Sequence, residues 1–262
     1  MRFPLRLTAD LALHLAGQPL RGKERQSPVL RFAPMEEANR SPRSSDTVHS
    51  TQKSAAEIPA DAQASTAPVV WFAGPDSLQH PDAARWSRAL LNRGRHVFLQ
   101  TEGNLLRRRI HEFQPVPQFS FVVEFSATPE SHDLRVGLRP KAFLDSAEAV
   151  RVAKLSGFFT CAHTAIGADT ALDQLPRLAE YLQSLKVDGW VIVPAATARG
   201  HRANSSKKLL EARQLIPSRR WRLFSELLES AFAPYRGVEP APAFSPEPRS
   251  TREVCGESVQ AP

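Results

Sequence analysis

Cysteine is scarce in this chain: of 262 residues only Cys161 and Cys255 are cysteines, and neither belongs to a CxxC or CxxxC pair. That excludes a disulfide framework and a thiolate cage for zinc. Long hydrophobic runs are also missing, since no window approaches the roughly 20 consecutive apolar residues that a membrane-spanning helix requires. The N-terminus carries Arg2 and Arg6, but Asp10 and His14 interrupt the apolar stretch that follows, so it reads poorly as a secretory signal. A cytoplasmic location is expected, peripheral at most to the inner membrane. Acidic charge is in deficit, 27 Asp and Glu against 34 Lys and Arg, which leaves a formal charge of +7. The surplus suits nucleic acid, anionic headgroups or phosphorylated small molecules without choosing among them. What the chain does have is 42% hydrophobic residues, enough for one sizeable core in a single domain.

Along the chain, TADLALHLAG at 8–17 reads as a short helix with Thr8 as N-cap and Gly17 as terminator, and Leu11 and Leu15 fall one turn apart. Basic residues flank it, so residues 1–22 read either as a helix packed on the domain edge or as one lying on anionic lipid. Residues 36–66 are rich in Ser, Ala, Pro and charge and offer no apolar stripe; a disordered loop is expected there. Strand patterns occur at 28–33, 67–74, 95–101, 119–125, 158–166 and 189–195. Helical patterns at 82–93, 103–111, 140–156 and 170–185 separate them, the last with Leu172, Leu175, Leu178, Ala179 and Leu182 on one stripe. Strands joined by crossovers long enough for helices predict an α/β fold with a parallel sheet or partial barrel. Two more helices, at 205–215 and 218–232, close the folded part, the second offering Trp221, Phe224, Leu228 and Phe232 as its apolar face. The organisation read from these patterns is a leader and short helix at 1–27, a barrel at 28–233 and a disordered Pro-rich tail at 234–262.

Several segments, in order and at nearly constant spacing, are similar to adenosylhopene transferases, radical S-adenosylmethionine (SAM) proteins of hopanoid lipid synthesis. They are the opening MRFPLRLTADLALHLAGQPLRGKERQSPVLRFAP, then APVVWFAGPDSLQHPD, RGRHVFLQTEGNLL, FQPVPQFSFVV, SHD at 131–133, GF at 157–158 and VDGWVIVPA. The resemblance covers most of 1–34 and 67–196. It implies a partial (β/α)6 radical-SAM-type barrel whose active relatives hold a [4Fe-4S] cluster and SAM and couple a deoxyadenosyl radical to a polyprenoid-derived lipid.

The same resemblance implies a site whose chemistry is gone. Three thiolates of a CxxxCxxC loop hold such a cluster, because soft ligands tolerate its charge and redox cycling. Ala38, Pro42 and Ser45 stand where those cysteines belong. The segment that lines the SAM amino group is Gly74-Pro75-Asp76-Ser77, the family's Thr-Asn-Gly is Thr101-Glu102-Gly103, and its His-Ile-Asp-Gly run is Glu124-Phe125-Ser126-Ala127. Gly74, Asp76, Thr101, Glu102, Gly103 and Glu124 are therefore degenerate cofactor-site positions, all at strand ends where barrel enzymes place their sites. The expectation is a non-catalytic homologue without cluster or cofactor, acting as a partner of a hopanoid-pathway protein or as a lipid-binding module. The alternatives are a divergent but active radical SAM enzyme and a basic nucleic-acid-binding protein.

Three other features need weighing. Cys161 sits in an apolar strand and reads as a buried small hydrophobe. His163 can point into the barrel mouth, and with His80 and Asp76 it makes a conceivable metal site, although a lone histidine is more often structural. The stretch 199–222 holds eight Lys or Arg and one acid, Glu211. That stretch, with Arg107, Arg108 and Arg109, reads as a surface for anionic headgroups rather than for nucleic acid.

Overall fold

The computed structural model describes residues 5–17, 27–32, 62, 65–74, 76–135, 141–167, 169–195 and 202–232. The cluster-ligand positions Ala38, Pro42 and Ser45 lie outside the described residues, as do nearly all of the loop expected at 36–66 and the tail at 234–262.

Six strands form one sheet in chain order: β1 (Val29–Phe32), β2 (Val69–Phe72), β3 (His96–Thr101), β4 (Phe119–Glu124), β5 (Phe159–Ile166) and β6 (Gly189–Pro194). Every neighbouring pair is parallel. This is the partial barrel that the alternation of patterns predicts. The strands from β2 to β5 are nearly continuous apolar runs because both faces are covered. Outside the sheet lie α2 (Ala83–Asn92), the short α3 (Leu106–Arg109), α4 (Pro129–Arg135), α5 (Ala142–Leu155), α6 (Leu175–Ser184) and α7 (Arg202–Gln214). Their apolar stripes, such as Leu175, Leu178, Ala179 and Leu182 of α6, pack on Val70, Phe72, Val97, Leu99, Phe121 and Trp190 of the outer face.

The inner face has its own cluster, closed by the two terminal helices. Leu7 and Leu11 of α1 (Leu5–Gly17) and Phe224 and Leu228 of α8 (Arg219–Phe232) pack there with Val69, Trp71, Phe98, Val122, Cys161 and Val191. Removing each such side chain from water is worth about 1.5–3 kcal/mol. Helix α8 straddles the free edge of β6: Trp221 packs edge-on against Trp190 outside, while Phe224 reaches inside to Phe98 and Phe159. Only glycine fits at Gly189, because a Cβ there would lie 2.6 Å from the Phe224 ring. The Ser225 hydroxyl accepts from the Ile192 N–H at 3.3 Å, so the helix also covers an exposed backbone donor of the edge strand.

Three details differ from the sequence reading. Helix α1 begins at Leu5, so Thr8 is inside it rather than its cap, and its buried stripe is Leu7 and Leu11; the Leu15 side chain is outside the described residues. The helix expected over 103–111 shrinks to α3 followed by a 3-10 turn at Ile110–Glu112. The sequence pattern misses α4, a seven-residue helix with no apolar stripe, started by mutual bonds between Thr128 and Ser131.

Candidate functional site

All strand C-terminal ends meet at one mouth, and there the inner face turns from apolar to polar. Trp71 of β2 donates its Nε1–H to Gln100 Oε1 of β3 at 2.9 Å, and Gln100 Nε2 donates to Glu124 Oε1 of β4 at 2.5 Å. Glu124 pairs in register with His163 of β5, whose Nδ1 lies 3.6 Å from the same carboxylate oxygen. The four side chains form a polar chain that climbs one strand at a time, because Trp71 is level with Phe98 and Gln100 is level with Val122. Glu124 is 7% exposed and His163 is 8% exposed. His163 Nδ1 has no hydrogen-bond partner among the described residues. At 3.6 Å the carboxylate oxygen and the imidazole nitrogen are neighbours but not hydrogen-bonded.

The positions inherited from the resemblance surround this chain but do different jobs. Asp76 is fully buried and its Oδ1 accepts from the Leu78 N–H at 3.1 Å, capping the 3-10 turn Ser77–Gln79. Thr101 Oγ1 accepts from the Gly103 N–H at 3.0 Å, and the Glu102 carbonyl accepts from the Ser146 hydroxyl at 2.9 Å. Gly103, at φ +95°, lies so close to α5 that a Cβ would sit 2.9 Å from that of Ala149. Gly74 also has a positive φ, +112°, but faces open space. Of the six, Glu124 alone is bonded into the chain that starts at Trp71.

The SHD run is structural too. His132, fully buried, accepts from the Ser126 N–H at 3.2 Å through Nδ1, and its Nε2 lies 3.2 Å from the Ser146 hydroxyl. Because that hydroxyl already donates to Glu102, His132 carries its proton on Nε2. Asp133 accepts from the Lys141 and Phe143 N–H groups and so caps α5.

His80, Asp76 and His163 do not come together as metal ligands. His80 stacks on Trp86 with ring centroids 4.2 Å apart and accepts from the Asp82 N–H, and among the described residues no group of three His, Cys, Asp or Glu is arranged for a metal. Cys161 sits fully buried on the inner face of β5, one layer below His163. Burial pushes its thiol well above the ordinary value; the Asp188 charge adds to this and Lys154 opposes it. Arg109 is committed as well. It holds Glu112 through two hydrogen bonds and donates to the carbonyls of Leu78, His80 and Pro81, and the Glu112 bond raises its pKa.

Sequence reasoning identified Glu124 and His163 but missed Trp71 and Gln100. The alternation His96, Phe98, Gln100 carries the signal for Gln100, once one knows which face of β3 is inside.

No protein-family model matches the chain, and no curated protein matches it. Among solved structures it is similar to archaeal TYW1, at 12% identity and a TM-score of 0.43 over 57% of this chain and 49% of that one. It is also similar to TYW1 with a lysine-pyruvate adduct bound, at 12% identity and a TM-score of 0.44 over 56% of this chain and 49% of that one. The chain thus spans about half the length of these structures.

Proposed function

We propose that this chain is a non-catalytic relative of the adenosylhopene-transferase type of radical SAM protein, a barrel kept as a binding module after losing its cluster and cofactor. The donor set carries the reading. A [4Fe-4S] cluster needs three thiolates. The positions matched to them hold a methyl group, a pyrrolidine ring and a hydroxyl, at Ala38, Pro42 and Ser45. The described cysteine, Cys161, is a thiol locked in the inner core beneath the mouth. These residues do not fit the cluster, so no reaction step is derived through it.

The mouth supports the same reading. Trp71, Gln100 and Glu124 are hydrogen-bonded in series across three strands, with His163 on the fourth 3.6 Å from Glu124, which is how a barrel interior is stabilised when polar groups face each other. The test is anaerobic reconstitution with iron and sulfide, followed by reduction in the presence of SAM. Iron and sulfide near background and no 5′-deoxyadenosine above the enzyme-free control are expected. Four irons per chain with deoxyadenosine formation would establish a divergent active enzyme.

A further inference from the structure

The end of the barrel opposite the mouth has a different chemistry. Because all six strands are parallel, their N-terminal ends share one floor. Helix α1 lies across it: Asp10 Oδ2 meets the Nε2 of His96, the first residue of β3, at 2.7 Å. The turn between α7 and α8 is also at the floor, since Trp221 packs on Trp190 near the start of β6 while Ser225, one turn later, reaches Ile192.

Seven large hydrophobics are exposed among the described residues, and four of them lie at this end. Leu5 is 76% exposed and Leu13 71% on α1, Leu155 is 89% exposed at the last turn of α5 before β5, and Leu215 is exposed in the α7–α8 turn. On α1, Ala9, Ala12 and Ala16 continue the outward face of Leu5 and Leu13, opposite the buried Leu7 and Leu11. Beside it a groove of about 330 Å³ is lined by Arg6, Asp10, Leu13, His14 and Arg95 among others. Exposed Arg219 and Arg220 stand at the start of α8. Asp188 is paired with Lys154, and Asp10 is hydrogen-bonded to His96.

We infer that the floor is a docking surface for an anionic lipid bilayer. Leu5, Leu13, Leu155 and Leu215 enter the interface, and the exposed Arg6, Arg219 and Arg220 face the headgroups, while Arg95 is held by the carbonyls of Ser65 and Ala67. Exposed leucines next to arginines are the composition such a surface requires, since apolar contact alone is weak and each basic side chain adds attraction to a negative leaflet. The inference is independent of what the mouth binds. It also fixes orientation: the mouth faces away from the bilayer. Arg107 and Arg108, which follow β3 at the mouth, take no part.

The experiment is co-sedimentation of the full chain with phosphatidylcholine vesicles and with vesicles containing about 30% phosphatidylglycerol, at low and high salt. Binding to the anionic vesicles alone, weakened by salt, is expected. Arg219→Glu with Arg220→Glu, and separately Arg6→Glu with Leu13→Glu, should each weaken it roughly tenfold or more, with unchanged circular dichroism. Arg107→Glu with Arg108→Glu should leave it as it was. Equal binding to neutral vesicles, binding to neither, or an equal loss in the Arg107 and Arg108 variant would overturn the proposal.

Discussion

The mouth and the floor of this barrel distribute polarity in opposite ways. At the mouth, polar side chains turn inward and are consumed by the protein itself: Trp71 to Gln100 to Glu124, His132 between Ser126 and Ser146, Arg109 on three carbonyls and Glu112. At the floor, leucines and arginines face outward. A buried polar group or an exposed apolar patch is more informative than the reverse. At the end where barrel enzymes place their chemistry, the polar side chains of this chain are bonded to one another, while the end that usually serves stability exposes leucines and arginines.

Substitutions at the two ends should differ in their effects. The largest effect is expected on the inner core that both ends share. Phe224→Ala removes a ring packed against Phe98, Phe159 and Gly189 and should cost about 3–5 kcal/mol by denaturant unfolding. Next comes the polar chain. Trp71→Phe keeps the ring but leaves Gln100 Oε1 without its donor, and a loss of roughly 1–3 kcal/mol is expected. A loss below about 0.5 kcal/mol, the size of an ordinary surface substitution, would show that the chain is not structural.

A pH effect should follow at the floor. Burial holds the His96 imidazole below its ordinary 6.5, Arg6 acts in the same direction, and the hydrogen bond and charge of Asp10 oppose it. The unfolded chain therefore takes up this proton more readily than the folded one. The stabilisation is full above pH 6.5 and is lost as the pH falls below it. Unfolding of wild type and His96→Asn between pH 7.5 and 5.5 should show the shallower dependence in the variant; parallel curves would contradict it. The smallest effect is expected from Arg107→Glu with Arg108→Glu, two exposed side chains at the mouth, whose stability should stay within about 0.5 kcal/mol of wild type.

These effects differ in how visible their causes are in sequence. All six strands are legible because apolar runs of four to eight residues alternate with helical stripes, and their order follows from crossovers that join parallel neighbours. Helix α4 is not legible: Pro129-Glu130-Ser131-His132-Asp133 has no apolar period, and its purpose is to bring His132 and Asp133 to α5. At the mouth, Glu124 and His163 are readable as polar residues ending apolar strands. Their link to Trp71 and Gln100 is not, because it depends on the stagger between strands, which spacing along the chain does not encode. The floor is legible only in pieces. Residues 5–13 and 215–220 are far apart in sequence, and the parallel topology alone places them at one end.

Hydrogen exchange of the full chain, with and without anionic vesicles, tests the division of labour between the two ends most directly. Added vesicles should slow exchange in α1 and in the α7–α8 turn and leave residues 101–105 and 125–128 at the mouth unchanged. Slowed exchange at the mouth, with α1 and the turn unaffected, would contradict the account.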